Sequence, residues 1–377
     1  METALDTPAA FVYSPQQQDK VFAILTSSDH NGQIRGNRRN FIDLINTGTQ
    51  MGFIVYVLPV ERLSLQGSRQ RGFVYQHANN RWVQRLMPFP NIIYNRIPNR
   101  EIERRSYVKH KLRACKKDPR ITIFNPYFFN KWELFKWLKA SAPAKKYLPH
   151  TRRFSGPGTL EKMLSKHSFL YLKPESGKAG KGIMMISHKP DSTLPYRLNI
   201  QEKTSSTSYN CVNFNKLWSR LLLQMEKTPY IVQQGIDLAT YRNRKFDLRV
   251  LIQKNIHGQW EMTGLGARVA GSTSITTHVP RGGRIDEPSK LLAYAFNTNE
   301  SHNIVEKVSM AAVTIASQIE KHSKHRLGEM SMDIGVDTSG DVWFFEANSK
   351  PMKFDEPHIR QKSLQRIFQY SQYLLEN

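Results

Sequence analysis

Three residues near the C-terminus carry groups that chemistry could use. In "SMDIGVDTSGDVWFFEANSKP", residues 331 to 351, Asp333, Glu346 and Asn348 interrupt two apolar runs. Buried carboxylates are costly unless paired or bound to a metal. Between the runs, "DTSGD" is turn chemistry, with Gly340 able to take a positive φ. With Ser339 and Gly340 at the loop centre, Asp333 falls opposite Glu346 across an antiparallel hairpin. A three- or five-residue loop would shift that register. Asn348 projects from the same face, while Trp343 and Phe345 point the other way, toward a core. Two facing carboxylates repel in an ordinary sheet. A divalent cation reverses the sign: Mg²⁺ takes one or two carboxylates together with phosphate oxygens and water. The competing reading is the exposed polar face of an edge hairpin.

Two further stretches could meet an anion. In "KFDLRVLIQKNIHGQWEMTGLGARVA", a turn centred on His257 and Gly258 sets Asp247 opposite Arg268 and Arg249 opposite Gly266. Lys245, Asp247, Arg249 and Arg268 then share one face, and Phe246, Leu248 and Val250 face a core. Asp247 can orient Arg268 through a charge-assisted bond, and Arg249, opposite a residue without a side chain, can reach outward. A surface ion pair worth under ~1 kcal/mol is the equally weighted alternative. In "YLKPESGKAGKGI", Lys173 ends a strand and Ser176, Gly177, Gly180 and Gly182 form a turn whose backbone N–H groups can approach an anion. It is not a Walker loop, since Ile183 follows Gly182, and not a dinucleotide turn, since a strand follows.

The elements that must position these groups can be read along the chain. Residues 21 to 60 alternate strand, helix and strand, with "NIIYNRI" and "TIFNP" as further strands and a charged helix from about Arg100. "FFNKWELFKWLKAS" is an amphipathic helix, and "APAKKYLPHTRR" is a proline-marked linker. Then follow the glycine-rich hairpin, a polar and poorly patterned stretch at 190 to 212, and a helix at "FNKLWSRLLLQME". The strand "YIVQQGID", the Asp247 hairpin, a long helix over 302 to 325, the Asp333 hairpin and a closing helix complete the chain. The boundaries expected are 1–20 poorly ordered, 21–145 an α/β domain, 146–235 a lid, and 236–377 a unit carrying the metal site. Histidines 278, 322 and 325 read as surface residues for want of a placed partner.

Composition narrows the field. The chain of 377 residues carries 55 Lys and Arg against 31 Asp and Glu, a net charge of +24. That excess suits anionic partners, although the charges are scattered and a generally basic surface accounts for most of them. No helix-turn-helix, RNP or zinc-finger pattern points to specific nucleic-acid binding. Cys115 and Cys211 suggest neither a disulfide framework nor a zinc site. No secretory signal and no apolar run long enough to span a bilayer is visible, so a cytoplasmic protein is expected.

The motifs in this order resemble the ATP-grasp superfamily: "YLKP" with its glycine-rich loop, "YIVQQGI", "DLR", "ARVAG", "PRGGR", then "MDIGVD" and "FFEANSKP". More narrowly, "NIIYNRI", "FNPYFFNKWELFKWL", "YLPHT", "FDLRVLIQK" and "EANSKP" look like the YheC/YheD-type endospore coat-associated proteins. The resemblance implies an α/β fold of the α+β ATP-grasp kind. A Rossmann-like N-terminal domain would precede two lobes with antiparallel sheets. It implies ATP and Mg²⁺ as cofactors. Asp333, Glu346 and Asn348 match the metal ligands, and Lys131 and Lys173 the ATP-phosphate lysines. Gln233, Gln234 and Ile236 match the segment that meets adenine. Arg249 and Arg268 match positions that stabilise transferred phosphate or bind the carboxylate substrate. Ser331 stands where many amino-acid ligases have arginine, and Thr277 where a glutamate-adding subgroup has asparagine.

The implied activity is an ADP-forming ligase that joins a carboxylate to an amine through an acylphosphate, with an association with the spore coat. Partners are then nucleotide and a carboxylate or amine substrate of anionic character, with no membrane. Two other readings stay open. One is an ATP-grasp kinase acting on a hydroxyl. The other is a coat structural protein with a degenerate nucleotide site, against which the intact Lys173, Asp333, Glu346 and Asn348 argue.

Overall fold

A computed structural model describes residues 19–176 and 180–377. The first strand, β1 (Val21–Thr26), is buried at every position, as a central strand covered on both faces must be. It is followed by α1 (Arg38–Gln50), β2 (Ile54–Pro59), β3 (Arg69–Gln76), β4 (Arg81–Pro88) and β5 (Ile92–Asn95). Then come α2 (Arg100–Arg104), α3 (Ser106–Lys117) and β6 (Thr122–Phe124). These strands form one sheet in the order β4-β3-β2-β1-β5-β6. Strands β2, β1, β5 and β6 run parallel, and β3 and β4 add an antiparallel hairpin at one edge. That hairpin, rich in arginine and glutamine, was not anticipated, because its sequence lacks a continuous apolar run. One face of the sheet packs on α2 and α3 through Ile102, Val108 and Leu112. The other packs on α1 and on the C-terminal helix through Phe22, Phe41, Ile367 and Phe368. The expectation for residues 1–18 lies outside the described residues.

Two helices lead onward: α4 (Lys131–Lys139), capped by the Asn130 side chain accepting from the Glu133 N–H, and α5 (Ala142–Lys145). Next come β7 (Thr151–Arg153), α6 (Pro157–Leu164), β8 (Phe169–Pro174) and β9 (Met184–His188). The stretch 190–212 supplies a regular strand pair, β10 (Tyr196–Gln201) and β11 (Ser206–Cys211). Helix α7 (Phe214–Gln224) and β12 (Tyr230–Gln234) follow. This second sheet is antiparallel, in the order β11-β10-β9-β8-β12-β7. Its own core lies under α6 and α7, around Leu170, Leu172, Leu217 and Leu221.

The third sheet carries the chemistry. It comprises β13 (Thr240–Tyr241), β14 (Arg244–Lys254), β15 (Trp260–Val269) and β16 (Arg284–Asp286). Helices α8 (Pro288–Ala295) and α9 (Thr298–Ser323) then precede β17 (Glu329–Val336), β18 (Val342–Asn348) and α10 (Pro357–Glu376). The order is β16-β15-β14-β17-β18, with β13 paired to β14. One face is apolar: Phe246, Leu248, Val250, Met332, Ile334 and Phe344 pack against α4, α8 and α9. Helix α10 returns to the first sheet while also touching β14 and β15. It therefore ties the third sheet to the N-terminal one.

Candidate active site

The polar face of the third sheet gathers the expected side chains. Asp333 pairs with Glu346 across β17 and β18, and Ser331 pairs with Asn348. The pairing arises from two compensating irregularities rather than from an even loop. The loop spans 337–341, which displaces the register by one residue near the turn; a bulge at Phe345 then restores it before Glu346. The Asp247 hairpin repeats the device. Its loop spans 255–259, and a bulge at Thr263 restores Asp247 opposite Arg268 and Arg249 opposite Gly266. The bulge also corrects one expectation. Val342, Phe344 and Ala347 face the core, whereas Trp343 and Phe345 are half-buried. Phe345, as the extra residue, turns onto the same cavity as Glu346.

Arg268 is the centre of the charge network. Its Nε donates to Asp247 Oδ1 at 2.9 Å and its Nη2 to Asp247 Oδ2 at 2.6 Å, while Nη2 lies 3.0 Å from Asp333 Oδ2. Thr277 Oγ1 donates to Asp247 Oδ2 at 2.7 Å. Burial alone would lower the Arg268 pKa, but Asp247 and Asp333 outweigh it and raise it. Burial would likewise raise Asp333, yet Arg268 and the cations beside it hold its carboxyl below the usual range. On the neighbouring strand Arg249 pairs in register with Asp333, and its guanidinium lies 5.1 Å over the Phe354 ring. Its buried Nε has no hydrogen-bond partner among the described residues.

Two lysines approach from other elements. Lys131 is the first residue of α4 and is almost fully buried; its Nζ lies 2.8 Å from Glu346 Oε1. Lys173, at the end of β8, donates to Gln233 Oε1 at 2.5 Å and sits over the rings of Phe345 and Tyr171. Burial and the nearby Lys131 pull the Lys173 pKa down to about 8 against the attraction of Glu346.

Lys173, Gln233, Gln234, Ile236, Asp247, Asp333 and Glu346 all border one cavity of about 310 Å³ between the second and third sheets. Its apolar walls include Tyr171, Met185, Leu238 and Phe345, a mixture typical of small-ligand sites. Gly180 and Gly182 adopt positive φ. A side chain on Gly180 would come within 2.8 Å of His278. Ser176 accepts from Arg104 Nη2 at 3.1 Å rather than bordering the cavity. Gly177 lies outside the described residues. A larger cavity of about 560 Å³ near Arg152, Arg153 and Gly156 contains no carboxylate and offers nothing to a hard cation.

Sequence reasoning missed several residues of the site. His278 lines the cavity and faces Arg268, with Nη1 to Nδ1 at 3.4 Å, so its reading as a surface residue is corrected. Burial keeps its imidazole pKa below the ordinary value. The loop 271–283 also joins the two sheets. Ser206 Oγ donates to Thr273 O, Tyr171 Oη to Ile275 O, and Ile275 N to Gln201 Oε1. Its polar, irregular sequence carries no periodicity from which these contacts could be read.

The donor set suits a hard divalent cation: two carboxylates and an amide on adjacent strands of one sheet face. Beside them Ser331 Oγ is buried without a hydrogen-bond partner among the described residues. Lys131, Lys173, Arg244, Lys245, Arg249 and Arg268 outnumber Asp237, Asp247, Asp333 and Glu346 around the site, so an added polyphosphate meets a cationic surround.

Residues 120–374 match the model of the YheC/D like ATP-grasp family. The chain belongs to that family. Among its relatives, the endospore coat-associated protein YheD of Bacillus subtilis (strain 168) is 28% identical over 345 residues, covering 89% of this chain and 74% of YheD. YheC of the same organism is 24% identical over 288 residues, covering 75% of this chain and 76% of YheC. Solved ATP-grasp structures share the fold. The ligase PsnB, complexed with a minimal precursor, aligns over 93% of this chain and 99% of its own, with a TM-score of 0.52 and 12% identity. The VanG D-Ala:D-Ser ligase from Enterococcus faecalis aligns over 94% of this chain and 100% of its own, with a TM-score of 0.52 and 11% identity. The two antiparallel sheets lie within the residues that match the family model.

Proposed function

We propose that this protein is an ATP- and Mg²⁺-dependent ligase that joins a carboxylate to an amine and forms ADP. The observation that carries this reading is Asp333 directly opposite Glu346, on a cavity wall shared with Lys173. Residues 146–235 act as the lid over residues 236–377, and the described part of the glycine-rich turn, at Gly180 and Gly182, belongs to that lid. Asp333, Glu346 and Asn348 hold Mg²⁺, which when bound neutralises phosphate oxygens. Gln233, Gln234 and Ile236 border the base, with Tyr171, Met185 and Leu238 supplying its apolar surround.

Lys131 and Lys173 hold the phosphate oxygens, and Arg249 and Arg268 stabilise charge on the transferred group. The γ-phosphoryl passes to the substrate carboxylate, breaking the bond to the β-phosphate and releasing ADP. The amine then attacks the acyl carbon, the amide bond forms and phosphate leaves. Closure of the lid keeps water from the acylphosphate. Asp247 positions Arg268 and takes no part in bond making. The similarity to the endospore coat-associated proteins YheD and YheC supports an association with the endospore coat. Among the described residues no helix is long and apolar enough to cross a membrane.

The test is an ADP-release screen over amino acids, peptides and polyol phosphates, with products read by mass spectrometry. An amide product with ADP is expected, and Glu346→Gln should lower turnover at least about 100-fold while circular dichroism stays unchanged. A phosphate ester product, or undiminished turnover in a folded Glu346→Gln, overturns the reading.

A further inference from the structure

A third cavity, of about 510 Å³, opens between α3 and the segment leading into α4. Arg100, Arg104, Lys109, Arg113 and Lys116 border it, and Glu103 is the sole carboxylate among its lining residues. Glu103 is already committed: it pairs with the buried Lys350 and accepts from the Phe128 N–H at 2.7 Å. Neither Lys109 nor Arg113 has a carboxylate partner among the described residues. Burial and Lys116 push His325 down to about 4, and Lys116 Nζ donates to its Nδ1 at 2.8 Å. Burial, opposed by Glu346, lowers the Arg100 pKa.

This cavity adjoins the nucleotide site. Its Asn130 caps α4 immediately before Lys131, and its Arg104 donates to Ser176 in the glycine-rich turn. From Arg104 the cations continue along α3, where Lys109, Arg113 and Lys116 recur at helical spacing over about 10 Å. The aromatic rings of Tyr127 and Phe128 line the cavity too, with Lys116 over Tyr127 at 5.6 Å and Arg100 over Phe128 at 5.2 Å.

The geometry points to this cavity as the binding site for a multiply charged carboxylate substrate, a short acidic peptide whose reacting end reaches the nucleotide past Arg104. The inference rests on the proposed ligase reaction and deepens it. Arginine forks match carboxylates in two-point contact. Alternate residues of an extended peptide recur about every 7 Å, a spacing the α3 row can meet.

Fluorescein-labelled tetraglutamate, titrated by anisotropy into the full-length protein, tests this directly. It is measured with and without a non-hydrolysable Mg-ATP analogue. The peptide should bind more tightly than tetraglutamine and be released by 0.5 M salt, as an ionic contact requires. The exposed pair Lys109→Glu and Arg113→Glu together should weaken it at least about tenfold while analogue binding holds; the milder Arg113→Gln should give a smaller loss in the same direction. Equal binding of tetraglutamine, no loss in the double variant, or displacement by tripolyphosphate at lower concentration than by unlabelled tetraglutamate with the nucleotide site filled would overturn the assignment. A phosphate ester product in the ADP-release screen, or undiminished turnover in Glu346→Gln, would instead sink the ligase reading and leave the cavity standing.

Discussion

Replacing Lys173 by methionine separates the requirements of binding from those of folding. The amine is charged at neutral pH, yet burial and Lys131 bring its pKa from the ordinary 10.5 to about 8. At 1.36 kcal/mol per pH unit, keeping that charge inside the protein costs about 3 kcal/mol of stability. Methionine removes the charge and fills similar space. It also leaves Gln233 Oε1 without the Lys173 donor, a loss of about 1–2 kcal/mol. The variant should therefore be more stable than the parent by about 1 kcal/mol at pH 7, against the usual direction of substitutions.

The pH dependence sharpens the test. Between about 8 and 10.5 the unfolded chain holds a proton on Lys173 that the folded chain has released, so parent stability climbs with pH through that window. The variant lacks this climb. Lys350, also lowered to about 8 by burial, contributes equally to both proteins and cancels in their difference. Thermal melts at pH 7 and pH 10.5 should rank the two proteins in opposite order. Mg-ATP should raise the melting temperature of the parent, and the variant should lose that rise. A variant that melts below the parent by the same margin at both pH values would refute the argument.

Asp247→Asn should destabilise the protein by about 3 kcal/mol in urea unfolding, because Arg268 loses half of its buried charge compensation. Turnover should fall with it, since Arg268 is then drawn wholly onto Asp333. Gly282→Ala should lower stability by about 1–3 kcal/mol and raise the KM for ATP: Gly282 has φ +89°, and a side chain there would stand 2.7 Å from Thr204 O across the junction of the second and third sheets. An unchanged KM would show that the junction does not shape the nucleotide site.

Much of the fold was legible because local physics writes it locally. The apolar run "VFAIL" became most of a fully covered strand, and the amphipathic "FFNKWELFKWLKAS" contains α4, which the Asn130 cap starts at Lys131. The period of two placed Lys245, Asp247 and Arg249 on one side of β14 and Phe246, Leu248 and Val250 on the other. The β3–β4 hairpin escaped notice because an edge ribbon half open to solvent needs no apolar run.

The sequence by itself determined which residue types were brought near one another in two hairpins, and with them the acidic pair and the arginine pair. Tertiary structure alone decided how those hairpins keep register, since a five-residue loop and a one-residue bulge cancel and neither leaves a distinctive signature. It alone delivered Lys131 to Glu346, His278 to the cavity and the cations of α3 to the neighbouring pocket. Side-chain alternation is fixed by the backbone within a few residues. Contacts between distant segments depend instead on how whole sheets and helices pack, which no short window of sequence contains.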